Sequence, residues 1–289
     1  MLPLAKMRER IGWLVCPLCK GQLLSSSTLL ACVGCKREWQ QTANFANLLP
    51  DSLWNASCSA WAQRQDAMIA SYRDLVADPP HAARAYHYDF DSYVAHLTTY
   101  SGRVLDIGGA NGLVRHFLAP GVDYVSLDPS VEWLNESWDV LGDYFPCLRQ
   151  PIQFVCGVAE QIPFTHRFFD AVLALWSLNH CADPQRALCE VARVLRPGGR
   201  CLLVLEDVEP PWRDILNLSY RDHRLWSRKR LALEKSKALL LGWPLQPDHL
   251  RISESHVEQW TAGMFSESYR AWHGSYLTIE LILETSRGL

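Results

Sequence analysis

The stretch RVLDIGGANG at residues 103–112 constrains the fold of this chain more than any other. Its apolar first half predicts a buried strand, its glycines predict a tight turn, and residues 113–118 predict a helix. Glycine is needed where a backbone adopts positive φ or approaches a ligand closely. A strand, a turn and a helix N-terminus form a common pocket for nucleotide-like cofactors, in which Asp106 could accept a hydrogen bond. Such a turn alone is weak evidence, because ordinary strand–helix turns share its residues.

Apolar strand segments alternate with helical segments after this turn. Strands are predicted at residues 122–127, 152–156, 168–176 and 200–205, with an amphipathic helix at residues 184–195. The alternation predicts a parallel sheet that has helices on both faces and binds ligands at the carboxyl ends of its strands. Asp128 ends the second of these strands, where a carboxylate suits two ribose hydroxyls.

These segments resemble class I S-adenosylmethionine-dependent methyltransferases of the type 11 group. The matching blocks follow the family order at residues 104–112, 127–128, 159–164, 169–170, 177–180 with 183–184, and 193–199. The resemblance implies an α/β, Rossmann-like fold whose seven-stranded, mostly parallel sheet carries helices on both faces. It also implies enzymatic methyl transfer, with S-adenosyl-L-methionine as the cofactor.

The resemblance assigns cofactor-binding residues to the ends of the strands. Asp128 and Pro129 should hold the ribose, Ala159 and Glu160 should lie at the adenine edge, and Leu175 and Trp176 should flank the sulfonium. The turn that should pass beneath the methionine part contributes Asp106, Gly108, Gly109, Ala110, Asn111 and Gly112.

Two departures from the family pattern qualify this assignment, and a tyrosine pair adds to it. Ala110 replaces the usual middle glycine of the turn, and Val158 replaces an aspartate that often accepts a hydrogen bond from the adenine amino group. Adenine recognition must then rely on backbone groups or on another side chain. Tyr86, with Tyr88 behind it, lies in a region that commonly covers the cofactor in this family, although aromatic residues there also suit core packing.

Two residues are candidates for catalysis. A sulfonium methyl group is already activated, so a general base is required only if the acceptor must lose a proton. His180 is the leading candidate because it follows the strand end where transfer should occur, and Asn179 lies beside it; His223 and His249 are weaker candidates. The alternative is that His180 is a structural residue.

Two C-x-x-C pairs near the start of the chain predict a metal site. Cys16, Cys19, Cys32 and Cys35 supply four soft ligands from two tight turns separated by twelve residues. Four thiolates leave no open position on Zn²⁺, so the zinc should be structural. Chance thiols or a redox pair are the alternatives. Residues 22–31 predict a hairpin, and residues 13–50 resemble the zinc ribbons of some ribosomal-RNA guanine methyltransferases and of small methyltransferase partner proteins.

Three segments follow from these assignments: a zinc ribbon at residues 1–50, a helical linker and cofactor lid at residues 51–100, and a methyltransferase domain at residues 101–289. A helical insertion is predicted at about residues 207–245. It is locally basic, which suits either a solvated helix face or a lid over the acceptor. Its candidates for contact with the acceptor are Trp212, Tyr220, His223 and Trp226.

Composition limits the cellular compartment and the class of methyl acceptor that we expect. The sequence has no long apolar run and no apolar core of a signal peptide, and most of its ten cysteines are scattered, which favours a cytoplasmic protein without a membrane partner. The sequence pI of about 6.4 and the tryptophan-rich insertion favour a small-molecule acceptor in biosynthetic or specialised metabolism. The ribbon favours RNA instead. A third alternative is a non-catalytic, cofactor-binding partner of another protein. The oligomeric state stays open.

Overall fold

A computed structural model describes residues 11–42, 45–50, 59–206, 208–209, 250, 252–273 and 276–285. The insertion predicted at about residues 207–245 and the candidates within it lie outside these residues, as does His249. Within the described part of the chain, no helix combines the length and the apolar character that crossing a bilayer requires.

The central sheet has eight strands in the order β12-β13-β9-β8-β5-β6-β7-β4. Neighbours from β9 to β4 pair in parallel, whereas β13 pairs antiparallel with β9 and with β12. The strands are β4 (Ala46–Asn47), β5 (Arg103–Ile107), β6 (Asp123–Asp128), β7 (Gln153–Cys156), β8 (Phe169–Leu175), β9 (Leu195–Leu205), β12 (Phe265–His273) and β13 (Tyr276–Leu283).

The predicted seven-stranded, mostly parallel α/β sheet is confirmed, and β4 is an eighth strand that the sequence did not predict. The structure also begins β9 at Leu195, so this strand includes residues 196–199, which were predicted as a turn between helix and strand. Strand order reverses beside β5, because β6 lies on one side of it and β8 on the other. A crevice at the carboxyl ends of parallel strands opens at such a reversal, and ligands bind there.

The helices begin at capped positions. Asp78 and Asp183 accept hydrogen bonds from the backbone N–H groups of His81 and Arg186, and a proline occupies the first turn of each helix. The proline pair at residues 79–80 therefore starts a helix as well as ending the preceding one. The helices are α1 (Ser59–Val76), α2 (Pro79–Asp91), α3 (Val94–Leu97), α4 (Pro184–Val194) and α5 (Glu254–Thr261).

Short 3₁₀ turns connect many of these elements. The turn after β5 spans Leu113–Phe117 and is a 3₁₀ helix, where the sequence predicted a helix over residues 113–118. The others span Ile11–Trp13, Val131–Leu134, Glu136–Asp143, Pro146–Arg149, Ala159–Gln161 and Leu178–His180.

The cysteine-rich segment forms its own small sheet of β1 (Leu23–Ser25), β2 (Leu29–Cys32) and β3 (Glu38–Gln40), which includes the predicted hairpin. It packs directly on the central sheet. Leu14 forms an antiparallel bridge with Phe164, and β4 extends the sheet beside β7. Buried ribbon residues such as Leu30 and Trp39 belong to the same apolar core as residues of β5 and β8.

Two further short strands, β10 (Val208–Glu209) and β11 (Ile252–Ser253), pair in parallel.

Candidate functional site

One cavity opens at the carboxyl ends of β5, β6 and β8. Its lining includes the following sequence-predicted residues: Tyr86, Asp106, Gly108, Gly109, Ala110, Asn111, Asp128, Pro129, Ala159, Glu160, Leu175, Trp176 and His180. Gly112 and Asn179 do not line it. Gly112 instead adopts a φ of 73° at the start of the turn Leu113–Phe117, so its role is to shape the backbone.

The glycine turn is held in a left-handed conformation by two side chains of β6. Gly108 has a φ of 69° and Ala110 a φ of 46°, which explains why glycine suits the position of Ala110. The Ala110 N–H donates to Asp128 Oδ2 at 3.1 Å, and Ser126 Oγ donates to the Ala110 carbonyl at 3.0 Å. These bonds fix both peptide groups of an alanine that would otherwise avoid this geometry.

Gly109 is required because the turn approaches three oxygens closely. A Cβ atom on Gly109 would lie 2.7 Å from Ser126 Oγ, 2.8 Å from the Tyr124 hydroxyl and 2.9 Å from Asp106 Oδ2. The Tyr124 hydroxyl donates to Asp106 Oδ2 at 2.6 Å. Burial raises the pKa of Asp106 to about 7, against the opposing effect of this hydrogen bond.

Asp128 is a buried carboxylate at the end of β6. Its two oxygens accept backbone N–H bonds, from Ser130 to Oδ1 at 2.9 Å and from Ala110 to Oδ2. Burial nevertheless raises its pKa to about 7. The side chain is therefore fixed in position at the cavity wall, where its remaining lone pairs suit hydroxyl donors.

At the wall predicted to contact adenine, one oxygen of the Glu160 carboxylate is already engaged by the protein. Val158 is buried, lines the cavity and presents an extended backbone before the turn Ala159–Gln161. Glu160 Oε1 accepts hydrogen bonds from the backbone N–H groups of Ala182 at 2.6 Å and Asp183 at 3.1 Å. This oxygen joins the loop after β7 to the loop after β8. The backbone near Val158 is therefore the part of this wall that suits hydrogen bonds to an adenine ring.

Trp176 has an unusual backbone. Its φ is 53°, and its N–H donates to the Val204 carbonyl at 2.8 Å. Positive φ in a tryptophan is strained, and strain of this kind concentrates at functional sites. The indole packs edge-on against Phe90, with ring centroids 5.2 Å apart, and against Tyr276 at 5.8 Å. Trp176 thus belongs to an aromatic part of the cavity wall.

The two catalytic candidates occupy different places. His180 lines the cavity, and its Nε2 lies 3.6 Å from Glu206 Oε1. Asn179 is fully buried away from the cavity, and its Nδ2 donates to the carbonyls of Glu206 at 2.6 Å and Leu250 at 3.3 Å. The structure therefore does not bring Asn179 to the reacting groups, because its carboxamide is engaged in holding the backbone around Glu206.

Several cavity residues were not identified from the sequence. Asp89 and Phe90 come from α2, Tyr72 from α1, Tyr276 from the start of β13, and Glu206 follows the end of β9. The position of Glu206 after a parallel strand was a usable signal. The other four lie on elements whose docking over the cavity depends on tertiary packing.

The four cysteines of the ribbon meet as predicted. Their Sγ atoms all lie within 4.8 Å of one another, with 3.6 Å between those of Cys16 and Cys35 and 3.3 Å between those of Cys19 and Cys32. Tetrahedral Zn²⁺ with Zn–S bonds of about 2.3 Å separates its sulfurs by roughly 3.8 Å. A Cβ on Gly21 would lie 3.1 Å from Cys32 Sγ, so glycine leaves room for the sulfurs. The donor set fits this ion.

Comparison with known families decides the nature of the central sheet. Residues 105–203 match the family described as a methyltransferase domain. The chain contains a methyltransferase domain. The predicted resemblance to class I methyltransferases is thereby confirmed for this part of the chain, and the cavity lies at the strand ends of the methyltransferase domain.

The relatives of this methyltransferase domain cover part of the chain. An uncharacterized methyltransferase of Mycobacterium tuberculosis is 39% identical over 143 residues, which are 47% of this chain and 55% of that relative. A demethylmenaquinone methyltransferase of Renibacterium salmoninarum is 28% identical over 185 residues, 61% of this chain and 72% of that relative. The chain thus spans little more than half the length of the Mycobacterium tuberculosis relative. The solved YcgJ protein of Bacillus subtilis is similar at 18% identity and a TM-score of 0.46, over 69% of this chain and 100% of that one.

Proposed function

We propose that this protein transfers a methyl group from S-adenosyl-L-methionine to a small-molecule acceptor. The observation that carries the proposal is a continuous cavity that joins the glycine turn and Asp128 to an aromatic end at Tyr72, Phe90 and Tyr276. The first end suits the methionine and ribose parts of the cofactor, and the second offers aromatic surfaces to a small acceptor. The cofactor supplies a methyl group on a positively charged sulfur.

In this proposal, each wall of the cavity contacts a different part of the cofactor. Asp128 accepts from the ribose hydroxyls, the backbone of residues 108–111 supports the methionine part, and Val158 with Ala159 contacts the adenine. Leu175 and Trp176 flank the reacting methyl group, and Tyr86 covers it from α2. The protein aligns the acceptor with the methyl group and excludes water, which is the main requirement for transfer from an activated donor.

The charges of the cavity favour a small acceptor over RNA. Within the described residues, the lining contains Asp89, Asp106, Asp128, Glu160 and Glu206 but no lysine or arginine. RNA binding requires cations for the phosphates, and a lining of this charge repels them. The relative named for demethylmenaquinone supports a small acceptor as well.

Calorimetry and mass spectrometry test this function. We expect S-adenosyl-L-methionine to bind with one site per chain, and incubation with metabolite extracts to yield products heavier by one methylene group. A protein that does not bind the cofactor would contradict the proposal. Cofactor binding without turnover on any extract would support the partner-protein alternative. Salt-sensitive retention of the protein on RNA, with methylated RNA as product, would support the RNA alternative.

We also propose that Cys16, Cys19, Cys32 and Cys35 hold one structural zinc. The support is the approach of the four Sγ atoms within 4.8 Å, together with the packing of the ribbon against the methyltransferase domain. Four thiolate ligands exclude a water ligand, so the ion would stabilise the fold and take no part in methyl transfer.

A further inference from the structure

We propose that Asp89 is the general base of the reaction and that the acceptor is a neutral or cationic molecule whose nucleophilic oxygen or nitrogen carries a proton. This inference rests on the proposed methyl transfer and adds to it the identity of the base and the class of acceptor. Asp89 was not among the residues identified from the sequence, where His180 was the leading base.

The position of Asp89 places it at the acceptor end of the cavity. It precedes Phe90 near the end of α2, and the Phe90 ring packs against Trp176 with 5.2 Å between centroids. Asp89 lines the same cavity as Trp176, His180 and Tyr276. The cofactor-side carboxylates, Asp106 and Asp128, lie on the strands below the glycine turn instead. Asp89 is thus the carboxylate that α2 adds to the aromatic end.

Asp89 also differs in its hydrogen bonding from three other carboxylates of the cavity, each of which accepts hydrogen bonds from the protein. Asp106 accepts from Tyr124, Asp128 accepts two backbone N–H bonds, and Glu160 accepts two more. In the parts of the chain that the structure covers, no hydrogen bond or ion pair engages Asp89. Its oxygens are therefore available to a donor group of a bound molecule.

Buried polar atoms in the wall of the same cavity point to a bound molecule independently. Ser177 is 9% exposed, and its Oγ has no hydrogen-bond partner among the described residues. The indole N–H of Trp176 is likewise buried without a partner there. Both residues line the cavity. Unsatisfied buried polar atoms are uncommon in native proteins, and a bound polar molecule is a physical reason for them.

The groups around Asp89 suit it to accept a proton near neutral pH. Burial and the charge of Glu206 raise the pKa of Asp89 to about 6. The neighbouring phenols Tyr86, Tyr93 and Tyr276 stay neutral, because burial is the main cause that raises the pKa of each. Tyr72 raises the pKa of Tyr86 and of Tyr276 further, and Tyr93 lies beside Tyr276. Glu206, with His180 next to it, is therefore the charged neighbour that acts on Asp89. A base with a pKa near the working pH is the efficient kind.

The chemistry of the step follows from these groups. The acceptor oxygen or nitrogen forms a bond to the methyl carbon while the carbon–sulfur bond breaks, and that electron pair remains on sulfur as the sulfonium becomes a thioether. The acceptor proton passes to an Asp89 oxygen and leaves to solvent after product release. Asp89 and Glu206 repel a carboxylate or phosphate acceptor, whereas the aromatic walls bind a neutral ring or an amine.

Two probes test this inference without knowledge of the natural acceptor. Para-nitrophenol reports its own ionisation by absorbance, and tryptamine represents the amines; both are titrated into the protein loaded with S-adenosylhomocysteine. We expect at least one probe to bind, and para-nitrophenol that binds to keep its proton to higher pH in the wild type than in Asp89→Asn. Asp91→Asn, an exposed change on the same helix, should behave as the wild type.

Methylation of the probe that binds gives the second readout. Asp89→Asn should lower kcat by about a hundredfold or more, with calorimetric binding of S-adenosyl-L-methionine unchanged, and Asp89→Glu should recover part of the loss. Glu206→Gln should move the acidic limb of the pH–rate profile to lower pH, because it removes the charge that raises the pKa of Asp89.

The outcomes separate this inference from the proposed function. Failure of the wild type to bind S-adenosyl-L-methionine would overturn both. Normal cofactor binding with neither probe bound would overturn the acceptor class alone. Wild-type kcat and pH profile in Asp89→Asn, or the same ionisation of bound para-nitrophenol in both proteins, would overturn the role of Asp89 alone.

Discussion

At the scale of single residues, the glycine turn depends on contacts from the neighbouring strand. Ala110 keeps a φ of 46° because Asp128 and Ser126 bind its peptide groups from β6. A left-handed alanine costs roughly 1 kcal/mol relative to glycine, which is within the reach of two hydrogen bonds. The departure from glycine at this position is therefore compatible with an intact turn.

Gly109 should resist replacement because a side chain there has no room, whatever its backbone angles. We expect Gly109→Ala to weaken cofactor binding at least about tenfold and to destabilise the protein by about 1–3 kcal/mol, because its Cβ would displace the oxygens of Tyr124 and Asp106. Calorimetry and denaturant unfolding measure the two effects. Gly12→Ala is the matched control, since no atom lies within 4 Å of a Cβ there. Equal affinity in both variants would contradict this role.

Cofactor affinity should depend on pH through Asp128. Its pKa is about 7 in the free protein, and the ionised form is the better acceptor for ribose hydroxyls, so binding releases a proton below this pH. Affinity should therefore rise with pH toward about 7 and level off above it, by at most roughly tenfold per pH unit for one carboxyl. Calorimetry across this range in the wild type and in Asp128→Asn measures it. The variant should bind more weakly at about pH 8 and show a smaller slope.

At the scale of elements, the ribbon is anchored by a polar contact beside the predicted adenine wall. Lys20 Nζ lies 2.6 Å from Glu190 Oε2 of α4 and donates to the Ile162 carbonyl at 3.3 Å. Arg193 donates to Glu190 and to the same carbonyl. Charges on both sides lower the pKa of Glu190 despite its burial. One carboxylate thus joins the ribbon, α4 and the loop after β7.

Glu190→Gln should weaken the contact between the ribbon and α4. We expect a loss of about 1–3 kcal/mol in the free energy of unfolding, since Lys20 and Arg193 are left partly buried without a full counter-charge. Denaturant unfolding measures it. The control is Asp143→Asn, which breaks an exposed ion pair with Arg149 and should change stability by less than about 0.5 kcal/mol. Similar losses in both variants would argue against a ribbon anchor at Glu190.

At the scale of the whole molecule, the ribbon is a part of the methyltransferase core. Leu30, Trp39 and Leu48 pack in one cluster with residues of β5 and β8, and β4 covers the edge of β7. Pairing of an edge strand also removes a site for intermolecular association. Loss of the ribbon fold would therefore expose apolar surface of the domain itself.

Zinc removal should consequently destabilise the entire protein. We expect about one zinc per chain by elemental analysis, and a lower Tm in a single transition after chelation or in Cys16→Ser with Cys35→Ser. Thermal unfolding followed by circular dichroism measures this, with Cys189→Ser, an exposed cysteine outside the ribbon, as the control. A metal-free protein with unchanged Tm would refute the structural zinc. Two separate transitions would show that the ribbon unfolds independently.

The sequence by itself determined the parallel sheet, the glycine turn, the carboxylate of Asp128 at a strand end and the four-cysteine cluster. Each is a local pattern: alternating apolar segments, glycines at fixed spacing, and paired cysteines. Asp128 and Trp176 could be located this way because residues at the ends of parallel strands meet at one edge. The same reasoning led to Asn179, whose backbone lies at a strand end while its side chain turns inward.

Only the tertiary structure decided what covers that edge. Asp89 and Tyr72 come from two consecutive helices before the sheet, and Tyr276 comes from β13 near the other end of the chain. No spacing rule relates them to the glycine turn. The pairing of β4 with β7 was equally hidden, because two residues carry too little pattern to indicate a partner strand. Long-range packing selects such contacts, since it depends on how whole elements bury their apolar faces together.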